Sequence, residues 1–121
     1  MLYQMRLTNG AIDPVSSGTF IRADGSSIPL TSADFQMTPE VFWESKITRA
    51  NYPIGWRIVV PKEQLDFAVH PVLSDQELPL DPIIYWEGAI DVVGTRTGQP
   101  IGGHGYLELT GYAGALQELN R

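Results

Sequence analysis

Five residues on two neighbouring predicted strands carry side chains that could perform acid–base chemistry: Glu87, Asp91, His104, Tyr106 and Glu108. A carboxylic acid kept protonated by burial, or by a second carboxylate, can donate a proton to a bound molecule. Aromatic faces can stabilise a cation, and two adjacent glutamates would titrate as a coupled pair. General acid catalysis is therefore the chemistry open to this set, with Glu87, Glu108 and Asp91 as candidate catalytic residues.

The simpler interpretation gives this polar face no catalytic role. Alternating polar residues are expected on the solvated face of any half-buried antiparallel sheet. The two interpretations differ in what the face contacts. If Glu87 and Glu108 face an enclosed cavity, at least one should have a raised pKa, because burial and like charge both disfavour ionisation. If they face bulk solvent, the isolated domain has no catalytic role on these residues.

The segment 85–112 predicts a hairpin of two long strands joined by the loop Thr95–Pro100, with Gly98 available for a positive φ. Because strand side chains alternate between two faces, the apolar residues of this hairpin must share one face. These apolar residues are Trp86, Ile90, Leu107 and Leu109. The condition allows only every second register of the two strands.

Two registers meet that condition. The tighter one places Glu87 opposite Glu108 and Asp91 opposite His104, and the next one places Glu87 opposite Tyr106. In either register the carboxylates, the histidine and several tyrosines collect on one face of the hairpin.

The rest of the chain predicts further short strands, linked by tight turns in an up-and-down order. The predicted strands are Met1–Thr8, Ser17–Ala23, Ser26–Leu30, Phe35–Ser45, Ile54–Val60 and Asp66–Leu73. Turns or loops are predicted at 9–10, 24–25, 31–34, 46–53, 61–65 and 74–82, and a short helical turn over 113–121. Seven or eight strands of this kind indicate an all-β fold, either a small antiparallel barrel or a curved sheet.

Length, cysteine content and net charge argue against several classes of function. At 121 residues the chain predicts a single domain, 1–121, and the absence of cysteine excludes disulfides and thiolate chemistry. A net charge of −6 argues against nucleic acid and anionic membranes as partners. No apolar run is long enough to span a membrane, and the N-terminal residues lack the layout of a signal peptide.

Metal and cofactor sites are not predicted. His70 and His104 are too few for a dedicated metal centre, and Asp75, Glu77 and Asp81 have only loop-like spacing for calcium. The sequence also lacks a Gly-x-Ser-x-Gly elbow and a P-loop, so ordinary esterase and nucleotide-binding roles lack their motifs.

Seven segments resemble the AttH-like family, which includes carotenoid 1,2-hydratase (hydroxyneurosporene synthase). The segments are Met-Leu-Tyr-Gln-Met-Arg at 1–6, Ser-Gly-Thr-Phe at 17–20, Asp-Phe-Gln-Met-Thr-Pro at 34–39, Tyr-Pro-Ile-Gly-Trp-Arg at 52–57, Asp-Gln-Glu-Leu at 75–78, Tyr-Trp-Glu-Gly-Ala at 85–89 and Gly-Tyr-Leu-Glu-Leu-Thr-Gly-Tyr at 105–112. The resemblance implies a lipocalin-like (calycin) up-and-down β-barrel and a hydrophobic ligand. Family members are far longer and pair two such domains, so this chain resembles most of the second domain, with an incomplete or open barrel.

The resemblance leads to two hypotheses about function. In the first, the domain binds an apolar terpenoid- or carotenoid-like molecule and is related to hydratases or lyases. The resemblance then implies hydration of an alkene, in which a carboxylic acid protonates the double bond and water attacks the carbocation. The candidate ligand-binding residues are Tyr85, Trp86, His104, Tyr106, Tyr112 and Trp56. In the second, it is a non-catalytic structural or docking domain that completes a two-domain or dimeric assembly. The family's catalytic positions are not assigned to residues of this chain.

A homodimer is the expected assembly if no first domain is present. Without the opening strand of the barrel, Met1–Thr8 would become an alternating, nearly uncharged edge strand. Such an edge exposes unpaired backbone groups and invites a second copy to pair with it. The sequence does not indicate a cellular compartment, although proteins of the family it resembles are often exported.

Overall fold

The computed structural model describes residues 1–113, which form two antiparallel sheets and one short 3₁₀ helix. The strands are β1 (Leu2–Tyr3), β2 (Ser17–Ile21), β3 (Ser27–Thr31), β4 (Gln36–Glu44), β5 (Asn51–Val60), β6 (Leu65–Pro71), β7 (Glu77–Leu80), β8 (Ile83–Arg96) and β9 (Gln99–Thr110). The 3₁₀ helix η1 (Pro61–Glu63) connects β5 to β6. The helical turn predicted over 113–121 lies, except for Ala113, outside the described residues.

Strands β1, β2 and β3 form one sheet, called here the N-terminal sheet, and β4 to β9 form the main sheet. The main sheet has the order β4-β5-β6-β8, and β9 pairs with the other side of β8. The two sheets do not close on each other, so the predicted all-β, lipocalin-like open barrel is confirmed. No helix among the described residues is long and apolar enough to cross a membrane.

The β8–β9 hairpin adopts the tighter of the two predicted registers. Glu87 lies opposite Glu108 and Asp91 lies opposite His104. The predicted loop Thr95–Pro100 is too long, because the pairing continues to Arg96 and Gln99. Only Thr97 and Gly98 turn the chain, with φ of 51° and 77°. Two consecutive residues of positive φ give the kind of turn whose twist matches that of the flanking strands.

One strand prediction and one loop prediction need correction. The predicted strand Met1–Thr8 is paired only at Leu2–Tyr3, followed by a single bridge at Arg6. The Ser16 hydroxyl there accepts the Met5 N–H at 2.9 Å, so a side chain replaces a strand partner. The predicted loop 74–82 contains β7. Its prolines and acidic residues suggested a loop, but β7 pairs with β8 alone, and an edge strand tolerates proline.

Strands β6 and β7 lie end to end along the same side of β8, and Gln76 bridges the gap between them. Its side-chain amide donates to the Ala89 carbonyl at 3.2 Å and accepts the Ala89 N–H at 3.1 Å. The Gln76 amide lies where a Cβ on Gly88 would be. A side-chain amide here completes the backbone pairing that the loop interrupts.

The hydrophobic core lies on the inner face of the main sheet. Four alternate residues of β5 are buried on this face, namely Ile54, Trp56, Ile58 and Val60. Trp86 is fully buried, and Trp43 is half-buried and packs against the core. No backbone hydrogen bond among the described residues joins the N-terminal sheet to the main sheet. The sheets are therefore joined by side chains.

Gly94 offers a test of the β6–β8 pairing. A Cβ at Gly94 would collide with the Asp66 carbonyl oxygen and with Phe67 on β6, whereas a Cβ at Gly103 on β9 would have no atom within 4 Å. Gly94→Ala should therefore lower the free energy of unfolding by about 2 kcal/mol or more, because a backbone must move to make room. Gly103→Ala is the matched control, and urea unfolding measures both. Equal stability of the two variants would contradict the close approach at Gly94.

Candidate functional site

Six polar or aromatic residues of β8 and β9 form what we call the acidic strip. Its members are Tyr85, Glu87, Asp91, His104, Tyr106 and Glu108. Trp86, Ile90 and Leu109 are buried on the inner face of the same strands. Because side chains alternate between faces, the acidic strip lies on the outer face of the main sheet.

The contacts along the acidic strip are between pairs of neighbours on facing strands. The His104 Nδ1 lies 2.8 Å from the Asp91 Oδ1, and the two side chains are 89% and 54% exposed. Partial desolvation and the neighbouring Glu87 carboxylate raise the pKa of Tyr106. Tyr106 is nevertheless 65% exposed, so the strip is largely solvated.

The outward position of Glu87, Glu108 and Asp91 does not provide the burial that their predicted catalytic role needs. Protonation of an alkene needs a carboxyl group that burial or a close charge keeps protonated. Within residues 1–113, the strip has no covering element that would supply that burial. The catalytic assignment therefore remains a prediction that requires a second polypeptide over the strip.

The predicted ligand-binding residues do not converge on one place. Trp56 and Trp86 are buried in the core, and their indole N–H groups donate to the backbone carbonyls of Pro53 and Ser74 at 2.7 and 2.8 Å. Tyr112 is half-buried, with its ring centroid 5.8 Å from that of Tyr52. The remaining three, Tyr85, His104 and Tyr106, lie on the acidic strip.

An apolar pocket lies between the two sheets, and we call it the inter-sheet pocket. It has a volume of about 240 Å³. The main sheet contributes Val60, Leu65 and Phe67 to its wall. The N-terminal part of the chain contributes Met1, Leu2, Thr19, Phe20 and Leu30. Since nearly every wall residue is apolar, this cavity suits a hydrophobic molecule.

A buried carboxylate with two arginines lies beside this pocket, and we call Arg22, Glu63 and Arg96 the Glu63 trio. Glu63 is only 8% exposed. Its two oxygens lie 3.6 Å from the Arg22 guanidinium and 3.3 Å from that of Arg96. A carboxylate removed from water needs such charged partners, so the trio links the N-terminal sheet to the main sheet.

A second shielded carboxylate, Glu77, lies where β7 meets the loop after β4. It accepts the Ser45 hydroxyl at 2.6 Å and the Thr48 hydroxyl at 2.7 Å. Burial alone would raise the pKa of Glu77, but these donors outweigh it and hold the pKa below its ordinary value. Burial also raises the pKa of Tyr52, which packs nearby. Glu77 is thus an ionised acceptor that secures a loop.

Sequence reasoning missed the trio and the role of Glu77. Glu63 follows Pro61 and Lys62 in what reads as an ordinary solvated turn, and its arginines are distant in sequence. The calcium hypothesis for Glu77 is replaced by hydroxyl partners that already occupy both of its oxygens. Among the described residues, no group of three histidine, cysteine or acidic side chains could hold a metal ion.

Comparisons with known proteins place the chain in context. The profile of a family described as AttH-like matches residues 1–112. A solved structure of a candidate AttH from Nitrosomonas europaea is 32% identical, with a TM-score of 0.75. Kievitone hydratase from Nectria haematococca is 22% identical, with a TM-score of 0.71, a likeness that shows the fold alone. No curated protein matches the chain.

Both solved relatives are much longer than this chain. Each alignment covers 90% of this chain and 33% of the relative. The chain thus spans about a third of their length.

The Glu77 contacts predict a pH-dependent stability. Because the folded-state pKa of Glu77 lies below 4.5, its ordinary value, its contribution is present above pH 4.5 and is lost as pH falls through the folded pKa. Glu77→Gln should lower the free energy of unfolding at pH 7 by about 1 to 2 kcal/mol, and the difference should shrink below pH 4.5. Urea unfolding between neutral and acid pH measures it, with the exposed Glu40→Gln as control. A difference that stays constant with pH would contradict the hydroxyl–carboxylate account.

Proposed function

This chain belongs to the AttH-like family, and on that premise we propose that its domain binds an apolar small molecule of terpenoid- or carotenoid-like chemistry. The observation that carries the proposal is the inter-sheet pocket. It is a concave space between two sheets, and aliphatic and aromatic side chains form nearly all of its wall. Transfer of an apolar molecule from water to such a wall is favourable in proportion to the area buried.

The size of the pocket limits how much of a ligand it can hold. Its 240 Å³ lies somewhat below the range of about 300 to 1,000 Å³ usual for drug-sized ligands. One end of a terpenoid chain, or a small cyclic terpenoid, would therefore fit without rearrangement. Since no backbone hydrogen bond joins the two sheets within residues 1–113, a longer ligand could part them without breaking strand pairing.

We assign ligand binding, and not proton transfer, to this domain acting alone. The inter-sheet pocket and the acidic strip lie on opposite faces of the main sheet, so Glu87, Glu108 and Asp91 do not reach a molecule in the pocket. Hydratase or lyase chemistry on the strip would need a further domain or subunit to enclose it.

A second candidate function is that of a docking domain that completes a larger assembly. The observation that favours it is the outer edge of β1, which pairs on one side only. Met5 and Leu7, which follow this edge, are 53% and 45% exposed. A homodimer through the first residues would pair these edges and cover the apolar side chains.

Val60 provides a test of ligand binding in the pocket. Val60→Phe fills the pocket from its main-sheet wall, whereas Val59→Phe makes the same change one residue earlier, on the other face of β5. We expect β-ionone, a small cyclic terpenoid, to bind the native protein in calorimetric titration. Val60→Phe should weaken binding about tenfold or more, and Val59→Phe should change it less than about twofold.

Two outcomes would overturn the proposed function. One is the absence of β-ionone binding to the native protein. The other is equal weakening by the two valine variants when circular dichroism shows that both are folded. Either result would favour the docking function.

The docking function makes its own prediction. If a dimer forms through the first strand, Met5→Lys should weaken dimerisation about tenfold or more, because a buried charge would lie in the contact. Ile47→Lys, at a residue that is 75% exposed on the loop after β4, is the matched control. Sedimentation equilibrium at micromolar concentration measures both. A native protein that is wholly monomeric, or a dimer indifferent to Met5→Lys, would rule this contact out.

A further inference from the structure

We infer that the ligand of the inter-sheet pocket carries a carboxylate head group, which binds at Arg22 and Arg96. This inference rests on the proposed function and adds a polar end to it. It makes the ligand an amphipathic acid, such as a terpenoid acid, rather than a hydrocarbon.

The Glu63 trio touches the pocket wall through Arg96. Phe20 is a wall residue, and the Arg96 guanidinium carbon lies 4.8 Å from the centroid of its ring. Leu65, another wall residue, is paired with Arg96 across β6 and β8. Val60 and Leu65 flank η1, the helix that carries Glu63. A ligand whose apolar body fills the pocket would therefore have one end near the two guanidinium groups.

The charges of the trio do not balance. Two guanidinium groups share one carboxylate, so one positive charge is left over, and the Arg22 and Arg96 side chains are 49% and 40% exposed and thus open to a ligand. The neighbouring Lys62 does not change this balance, because it pairs with Asp34 at 3.3 Å. An anionic ligand group beside the two arginines would neutralise this remaining positive charge.

Arg96 also has a donor without an acceptor. Its Nε is buried and makes no hydrogen bond within residues 1–113, while its Nη2 contacts Glu63. Buried donors are nearly always paired in native proteins, so an unpaired one indicates a missing partner. A carboxylate is the group that best matches the planar fork of a guanidinium.

A purely structural role would explain only part of this arrangement. A bridge between the two sheets accounts for the burial of Glu63 and for its contacts with both arginines. It leaves unexplained the second arginine and the unpaired Nε of Arg96, whose guanidinium group lies against the pocket-wall residue Phe20.

Geraniol and geranate test the inference, because they share one terpenoid chain and differ in the head group. In calorimetric titrations at pH 7.5, the native protein should bind geranate about tenfold or more tightly than geraniol. Arg96→Met should abolish this preference while leaving geraniol affinity within about threefold, since the methionine keeps an apolar stem beside Phe20. Arg57→Met is the matched control, because Arg57 pairs with Asp66 at the surface and should leave both affinities unchanged.

Glu63→Gln separates the inference from a structural role. Removal of the competing carboxylate frees both arginines, so geranate should bind several-fold more tightly even if the variant is less stable. A bridge without a ligand role predicts lower stability and no gain in affinity. This variant also keeps the test decisive if circular dichroism shows that Arg96→Met does not fold.

The outcomes distinguish the two proposals. Binding of geraniol and geranate with equal affinity would overturn the carboxylate inference and leave the proposed function standing. Failure of both ligands to bind would overturn the two together. A geranate preference that survives Arg96→Met in a folded protein, or Glu63→Gln without a gain for geranate, would assign the trio to structure alone.

Discussion

The attachment of the N-terminal sheet to the main sheet is the constraint on which the candidate site depends. Cationic side chains make four contacts across this junction. Arg6 lies over Trp56, Arg96 over Phe20, Arg22 beside Glu63 and Lys62 beside Asp34. Between them the apolar side chains leave the inter-sheet pocket. A junction made of side chains can accept a guest molecule at lower cost than one made of strand pairing, because no backbone hydrogen bond is broken.

The inter-sheet pocket and the acidic strip lie on opposite faces of the main sheet. The β8–β9 hairpin has Trp86 and Leu109 on its inner face and the carboxylates of the acidic strip on its outer face. A single layer of strands cannot bring both faces to one ligand. The relatives of known structure are about three times as long as this chain.

Local alternation and turn chemistry were enough to predict the all-β fold and to narrow the β8–β9 pairing to two registers, of which the fold adopts the tighter. Those features depend on residues close together in sequence or directly opposite each other, such as Glu87 and Glu108. The sequence did not reveal β7, whose Pro79 is tolerated only because β7 is an edge strand. It also did not reveal the Glu63 trio, because its three members come from separate elements that only the complete fold brings together.

Methyl-resolved NMR of the native protein titrated with β-ionone tests the central claim most directly. Binding in the inter-sheet pocket predicts chemical-shift changes in the methyl groups of Leu30, Val60 and Leu65, which line the pocket. The methyl groups of Leu80 and Val93, which are exposed away from the pocket, should not change. Changes confined to methyl groups outside the pocket, such as those of Val93 on the outer face of β8, or no saturable change at all, would contradict the account.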